Sequence, residues 1–128
     1  MHGLHLTADL SHCACEPALL TDAERLGRHC VQAVADAGLQ AVAQLFHTFP
    51  ATAQGAGGVT ATVLLAESHL CVHTWPELAA VTLDVYVCNF GGDHAAKAQA
   101  LMDALQALFR PGACSAHALV RGAVQPGT

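Results

Sequence analysis

The side chains able to do chemistry crowd into one short stretch, Ala66-Glu67-Ser68-His69-Leu70-Cys71-Val72-His73-Thr74-Trp75-Pro76-Glu77. On an extended strand successive side chains alternate between faces, so His69, Cys71 and His73 share one side and Ser68, Leu70 and Val72 the other. Imidazole and thiolate on one face could hold a metal, although such a site needs a fourth ligand or an open water position. A serine or cysteine with a histidine nearby could serve as an activated nucleophile. The histidines could equally be structural, rimming an otherwise apolar strand. These three readings stay open on the residues alone.

Around this segment the chain alternates between two periodicities. Leu4, Leu6, Ala8 and Leu10 recur with period two, which predicts a strand over 3–10, followed by a loop. Thr21-Asp22-Ala23-Glu24 has the spacing of a capping box with Thr21 as the cap. Leu26, Cys30, Ala33, Val34 and Ala37 then follow at helical spacing and Gly38 suits a left-handed end, so a helix is predicted over 22–37. Leu39 to Phe49 suits a strand, 50–58 a loop, and Val59–Ala66 and His69–His73 two further strands, with Pro76 breaking the chain. Ala80 to Cys88 alternates cleanly. Asp93 is the expected cap of a second helix with Ala98, Leu101, Met102, Leu105, Leu108 and Phe109 on one face. Pro111-Gly112 ends it, and a last strand over 114–120 follows. The order implies an α+β two-layer sandwich, a mainly antiparallel sheet with two helices on one face. One domain is expected over 1–122, with 123–128 as a tail.

The chain has 128 residues, a size for one hydrophobic core. It is 53% hydrophobic and 12% charged, with a mean hydropathy of +0.40; the charged share is roughly half the usual 25% or so, which excludes a disordered chain. So few charges leave apolar surface uncovered on a monomer, which predicts a homodimer or higher homo-oligomer. Five Lys and Arg against ten Asp and Glu give a net charge of −5, arguing against nucleic acid and against an acidic membrane surface as partners. The longest apolar run, Val59 to Ala66, is far short of the ~20 residues that cross a bilayer. The opening Met1-His2-Gly3-Leu4-His5 lacks the regions of a signal peptide, so a cytoplasmic protein is expected. Cys13, Cys15, Cys30, Cys71, Cys88 and Cys114 are scattered through apolar segments, and most read as small buried hydrophobes rather than a disulfide framework.

The segment AESHLCVHTWPE, preceded by GVTATVLL and followed by LDVYVC, resembles the bacterial and archaeal S-adenosylmethionine decarboxylase proenzymes, with their ESH-x-x-x-HTWPE signature. GLHLTADL at 3–10 is similar to that family's first strand, FHTF at Phe46 to Phe49 to its FH-x-F segment, and Cys88 stands at its spacing after the serine. Arg121-Gly122 is similar to its ending.

The resemblance implies self-cleavage between Glu67 and Ser68 into a 1–67 β chain and a 68–128 α chain, with Ser68 converted to a pyruvoyl group. That ketone would form a Schiff base with the substrate amine and accept the electrons released as carbon dioxide departs, with neither metal nor pyridoxal phosphate. By position, His73 resembles the histidine that moves a proton during processing, and Cys88 the cysteine that reprotonates the substrate carbanion. Thr60 stands where the family usually has a processing serine and keeps the hydroxyl. Phe49 resembles an aromatic that stacks on adenine, and Glu77 a carboxylate that accepts from ribose hydroxyls. The implied reaction is decarboxylation of S-adenosylmethionine to the aminopropyl donor of spermidine synthesis. Three departures flank the expected pocket: the longer Pro50–Gly57 loop, Cys71 in place of a threonine, and Asn89-Phe90 after Cys88. They keep open a pyruvoyl-dependent decarboxylase of ornithine or arginine on the same scaffold, because the machinery needs only an α-amino acid. A metal-binding chain built on His12, Cys13, Cys15 and the His69/Cys71/His73 face is the competing class.

Overall fold

Period-two alternation carries most of the chain into one antiparallel sheet. The computed structural model describes residues 2–89 and 92–122, so the expected 123–128 tail lies outside the described residues. The strands are β1 (Gly3–Ser11), β2 (Ala41–Thr48), β3 (Val59–Leu65), β4 (Ser68–Trp75), β5 (Ala80–Cys88) and β6 (Ala113–Arg121). They pair in the order β2-β3-β4-β5-β1-β6, and every pairing is antiparallel. The helices are α1 (Ala18–Thr21), α2 (Ala23–Asp36) and α3 (Ala95–Phe109). Inward residues of the strands, such as Leu6, Val63, Leu70, Val72, Val85 and Val87, join Leu26, Cys30, Val34, Leu101, Leu105 and Phe109 of the helices in one buried cluster. Removing a Val, Leu or Phe side chain from water contributes roughly 1.5–3 kcal/mol, so this layer is what holds the sheet to the helices. The expected two-layer α+β architecture is therefore present.

Three local expectations need correction. The stretch after β1 is not all loop, because Ala18–Thr21 makes the single helical turn α1. As its last residue, Thr21 is committed to that turn and donates its hydroxyl to the Pro17 carbonyl at 3.3 Å. The cap of α2 is instead Asp22, whose extended backbone lets its carboxylate accept from the N–H groups of Glu24 and Arg25, each at 3.1 Å. At α3, His94 occupies the cap position, while Asp93 lies one residue earlier and accepts from the Ala95 N–H at 2.9 Å. Gly38, with φ +82°, provides the left-handed exit from α2.

All six cysteines are free: Cys13, Cys30 and Cys88 are buried, Cys15 and Cys71 half-buried, and Cys114 exposed. Burial pushes the Cys30 thiol up to about 12, so it behaves as a small neutral hydrophobe. The edges of the sheet are the reverse of the core. Every residue of β6 is exposed and most of β2 is too, leaving Val42, Leu45, Leu119 and Val120 open to solvent, as is Leu64 of the neighbouring β3.

Candidate active site

The β3–β4 hairpin organises the site. Its register runs from Thr60↔His73 to Leu65↔Ser68, so only Ala66 and Glu67 connect the two strands. Glu67 closes this turn with φ +55°, a left-handed backbone on a residue with a Cβ. Ser68 opens β4, and its Oγ accepts from the backbone N–H of Cys88 at 3.1 Å. Cys88 is the buried last residue of β5, so Glu67, Ser68 and Cys88 gather at one end of the sheet. Beside Ser68 lies a cavity of about 180 Å³ whose walls include His94 and Lys97. The Nδ1 of His94 is buried without a partner among the described residues. Sequence reading passed over His94 and Lys97, whose only signal is a place shortly after Cys88.

The opposite end of the same hairpin carries the rest. His73 Nδ1 lies 3.0 Å from Thr60 Oγ1, within hydrogen-bonding distance across the strand pair. Both open onto a cavity of about 630 Å³ that Phe49, Gln54, Trp75 and Glu77 also line. Phe49 stands just past the end of β2 with its ring edge-on to His47, centroids 4.7 Å apart. Glu77 sits exposed in a 3₁₀ turn, Pro76–Leu78. The loop at 50–58 is itself folded, with Thr52 and Gly55 exchanging backbone hydrogen bonds at 2.8 and 3.0 Å. Gly58 lets this loop enter β3, since a Cβ there would meet the Thr74 carbonyl oxygen at 2.1 Å. Trp75 and Gln54 are wall residues that sequence reading did not single out. Trp75 was recoverable, because it shares the face of His73 at spacing two.

Ser68 and His73 do not meet within the chain. They stand five positions apart along β4, about 16 Å at roughly 3.3 Å per residue, and an odd spacing points them to opposite faces. The candidate residues therefore form two half-sites: Glu67, Ser68 and Cys88 at one end, and Phe49, Thr60, His73 and Glu77 at the other.

The helix-free face between them holds a polar cluster across β4, β5 and β1. Asp84 Oδ2 accepts from His69 Nε2 at 2.6 Å and from His5 Nε2 at 2.9 Å. Among the described residues, these three, rather than His69, Cys71 and His73, lie close enough together to hold a metal. Arg121 decides how the cluster is wired. Its guanidinium can only donate, and it reaches His5 Nδ1 at 3.1 Å, so that nitrogen is engaged as an acceptor while Nε2 faces Asp84. Cys71 is held neutral as well, its thiol pushed up by burial and, more weakly, by Asp84, against a lowering hydrogen bond from Thr62. Burial also raises Cys13 and Cys15. The thiolates that the competing metal reading required are thus disfavoured by their surroundings.

An antiparallel sheet with helices on one face and reactive groups at both ends of one hairpin defines a two-layer α+β chain. It belongs to the S-adenosylmethionine decarboxylase family, whose model matches residues 4–122. The S-adenosylmethionine decarboxylase proenzyme of Pelotomaculum thermopropionicum is 38% identical over 87 residues, which are 68% of this chain and 64% of that protein. That of Thermococcus onnurineus is 29% identical over 107 residues, 84% of this chain and 71% of that protein. Against the first of these, the chain spans somewhat under two thirds of the relative's length. Among solved structures, the crystal structure of adenosylmethionine decarboxylase from Aquifex aeolicus superposes with a TM-score of 0.82 at 31% identity, covering 98% of this chain and 95% of that one.

Proposed function

We propose that this chain is a self-processing, pyruvoyl-dependent decarboxylase of S-adenosylmethionine that supplies the aminopropyl donor for spermidine and other polyamines. The observation that carries the reading is the Ser68 end. The hydroxyl is anchored by the Cys88 N–H at 3.1 Å, directly after the two-residue turn that would be cut. Attack of Ser68 Oγ on the Glu67 carbonyl gives an ester, elimination releases the 1–67 fragment as a carboxylate, and hydrolysis of the resulting dehydroalanine expels ammonia and leaves a ketone at residue 68. That group supplies an electron-accepting carbonyl beside the substrate's α-carbon, so neither pyridoxal phosphate nor a metal is required. Cys88 places its thiol at the same end, suited to return a proton to that carbon. At the other end the Phe49 ring offers a face for adenine, the Glu77 carboxylate accepts from ribose hydroxyls, and an aromatic wall also favours a sulfonium cation.

The separation of the two half-sites supports a homodimer in which Ser68 of one copy works with the partner's His73. The exposed Val42, Leu45, Leu64, Leu119 and Val120 supply apolar surface for such an assembly. Six free cysteines suit a reducing cytoplasm, and among the described residues no helix is long and apolar enough to cross a membrane.

Mass measurement under denaturing conditions, with and without borohydride, tests the reading. Two fragments are expected, 1–67 and 68–128, the second carrying a reducible ketone and no amine at residue 68. The Ser68→Ala variant should remain one chain and release no carbon dioxide from labelled S-adenosylmethionine. A parent chain that stays whole on prolonged incubation removes the proposal.

A further inference from the structure

The geometry points to Glu67 as a positioning residue that drives self-cleavage through its backbone rather than its carboxylate: we infer that the left-handed turn loads the Glu67–Ser68 bond. This rests on the cleavage reading above. Glu67 has φ +55°, a region that is unfavourable for a residue with a Cβ and costs glycine almost nothing. Such a conformation persists only where the surroundings impose it. Here they do, on both sides. Leu65 is locked opposite Ser68 by the β3–β4 ladder, β4 is locked to β5 from His69 onward, and the Cys88 N–H fixes the Ser68 hydroxyl. The Glu67 side chain is exposed and, among the described residues, makes no hydrogen bond or ion pair that could hold the turn instead. A two-residue connection therefore has to close the hairpin on a residue poorly suited to it.

The chemistry relieves that constraint. In the peptide, the Glu67 carbonyl carbon reaches the Ser68 Cα through two bonds, by way of the amide nitrogen. When Ser68 Oγ attacks, the carbon–nitrogen bond breaks, the hydroxyl proton passes to the nitrogen, and a free amine is left. The carbonyl carbon then reaches the same Cα through three bonds, by way of Oγ and Cβ. The turn gains one bond of slack, and Glu67 no longer has to stay left-handed. Elimination next removes the Ser68 α-proton, breaks Cβ–Oγ and frees Glu67 as a carboxylate, so the relaxed turn cannot reclose. An amide is normally favoured over its ester isomer, and a load released only on the ester side shifts that balance toward cleavage.

The test is a graded series at one position, followed by the rate of appearance of the 68–128 fragment by denaturing mass measurement. Glu67→Ala keeps the Cβ and hence the load but loses the carboxylate; Glu67→Asn tolerates left-handed backbone better; Glu67→Gly removes the load. Cleavage is expected to slow in the order Ala, Asn, Gly, with about tenfold between Ala and Gly, equal to about 1.4 kcal/mol. A second measurement does not depend on the chemistry: in uncleavable Ser68→Ala protein, adding Glu67→Gly should raise the melting temperature by a few degrees. Glycine that cleaves as fast as alanine, or gives no such rise, overturns the inference while leaving self-cleavage standing. Slow cleavage in both alanine and glycine assigns the effect to the carboxylate and also overturns it. A parent chain that never cleaves defeats the underlying reading instead.

Discussion

Cys88 carries two separable parts in the proposed reaction. Its backbone N–H donates to Ser68 Oγ, and any residue but proline can supply that donor. Its thiol alone can return a proton to the substrate carbon. Cys88→Ala is therefore expected to cleave itself into the two fragments yet lose turnover by about 10²–10⁴-fold, the usual contribution of a positioned general acid. Denaturing mass and release of labelled carbon dioxide read the two steps apart. A Cys88→Ala chain that stays whole moves the thiol from turnover into maturation.

At the scale of elements, Thr74 shows how one buried hydroxyl ties three pieces together. It donates to the Leu20 carbonyl of α1 at 2.7 Å and accepts from the Val59 N–H at the start of β3 at 2.8 Å. Thr74→Val keeps the shape but strands both backbone groups, at a cost of about 1–3 kcal/mol, seen as a melting point lower by roughly 5–10 °C in Ser68→Ala protein. A variant that melts with its Ser68→Ala parent would show that water satisfies those groups. The strands of this layer were legible in the sequence because alternation such as that of Ala80 to Cys88 is written residue by residue. The cap of α2 was misread as Thr21 because spacing alone does not reveal that Thr21 already ends another helical turn. The same limit applied to the site. Ser68, His73, Cys88, Phe49 and Glu77 could be named from a motif, but their division into two half-sites depends on strand register and on which face each side chain takes. His94 and Lys97 reach Ser68 through the packing of α3 and carry no local pattern at all.

For the whole molecule, the two half-sites make a distinctive prediction. Ser68→Ala and His73→Ala chains should each stay whole alone, but co-expression should cut the His73→Ala chain, because a mixed dimer pairs its intact Ser68 with the partner's intact His73. If the His73→Ala chain remains uncut in the mixture, the shared site is wrong. The order of the sheet has one more effect. β1 belongs to the segment before Glu67, yet it lies between β5 and β6, which come after Ser68, and β3 remains laddered to β4. A cut at the hairpin tip would thus yield two polypeptides plaited through one another, each strand of the junction still bonded to the other chain. The precursor would unfold as one molecule and regain its shape unaided. The matured protein would add a further dependence on concentration, since two separate polypeptides must find each other to rebuild even one sheet. Maturation on this topology would be a one-way passage, in which the protein keeps its form but gives up the easy route by which it was first made.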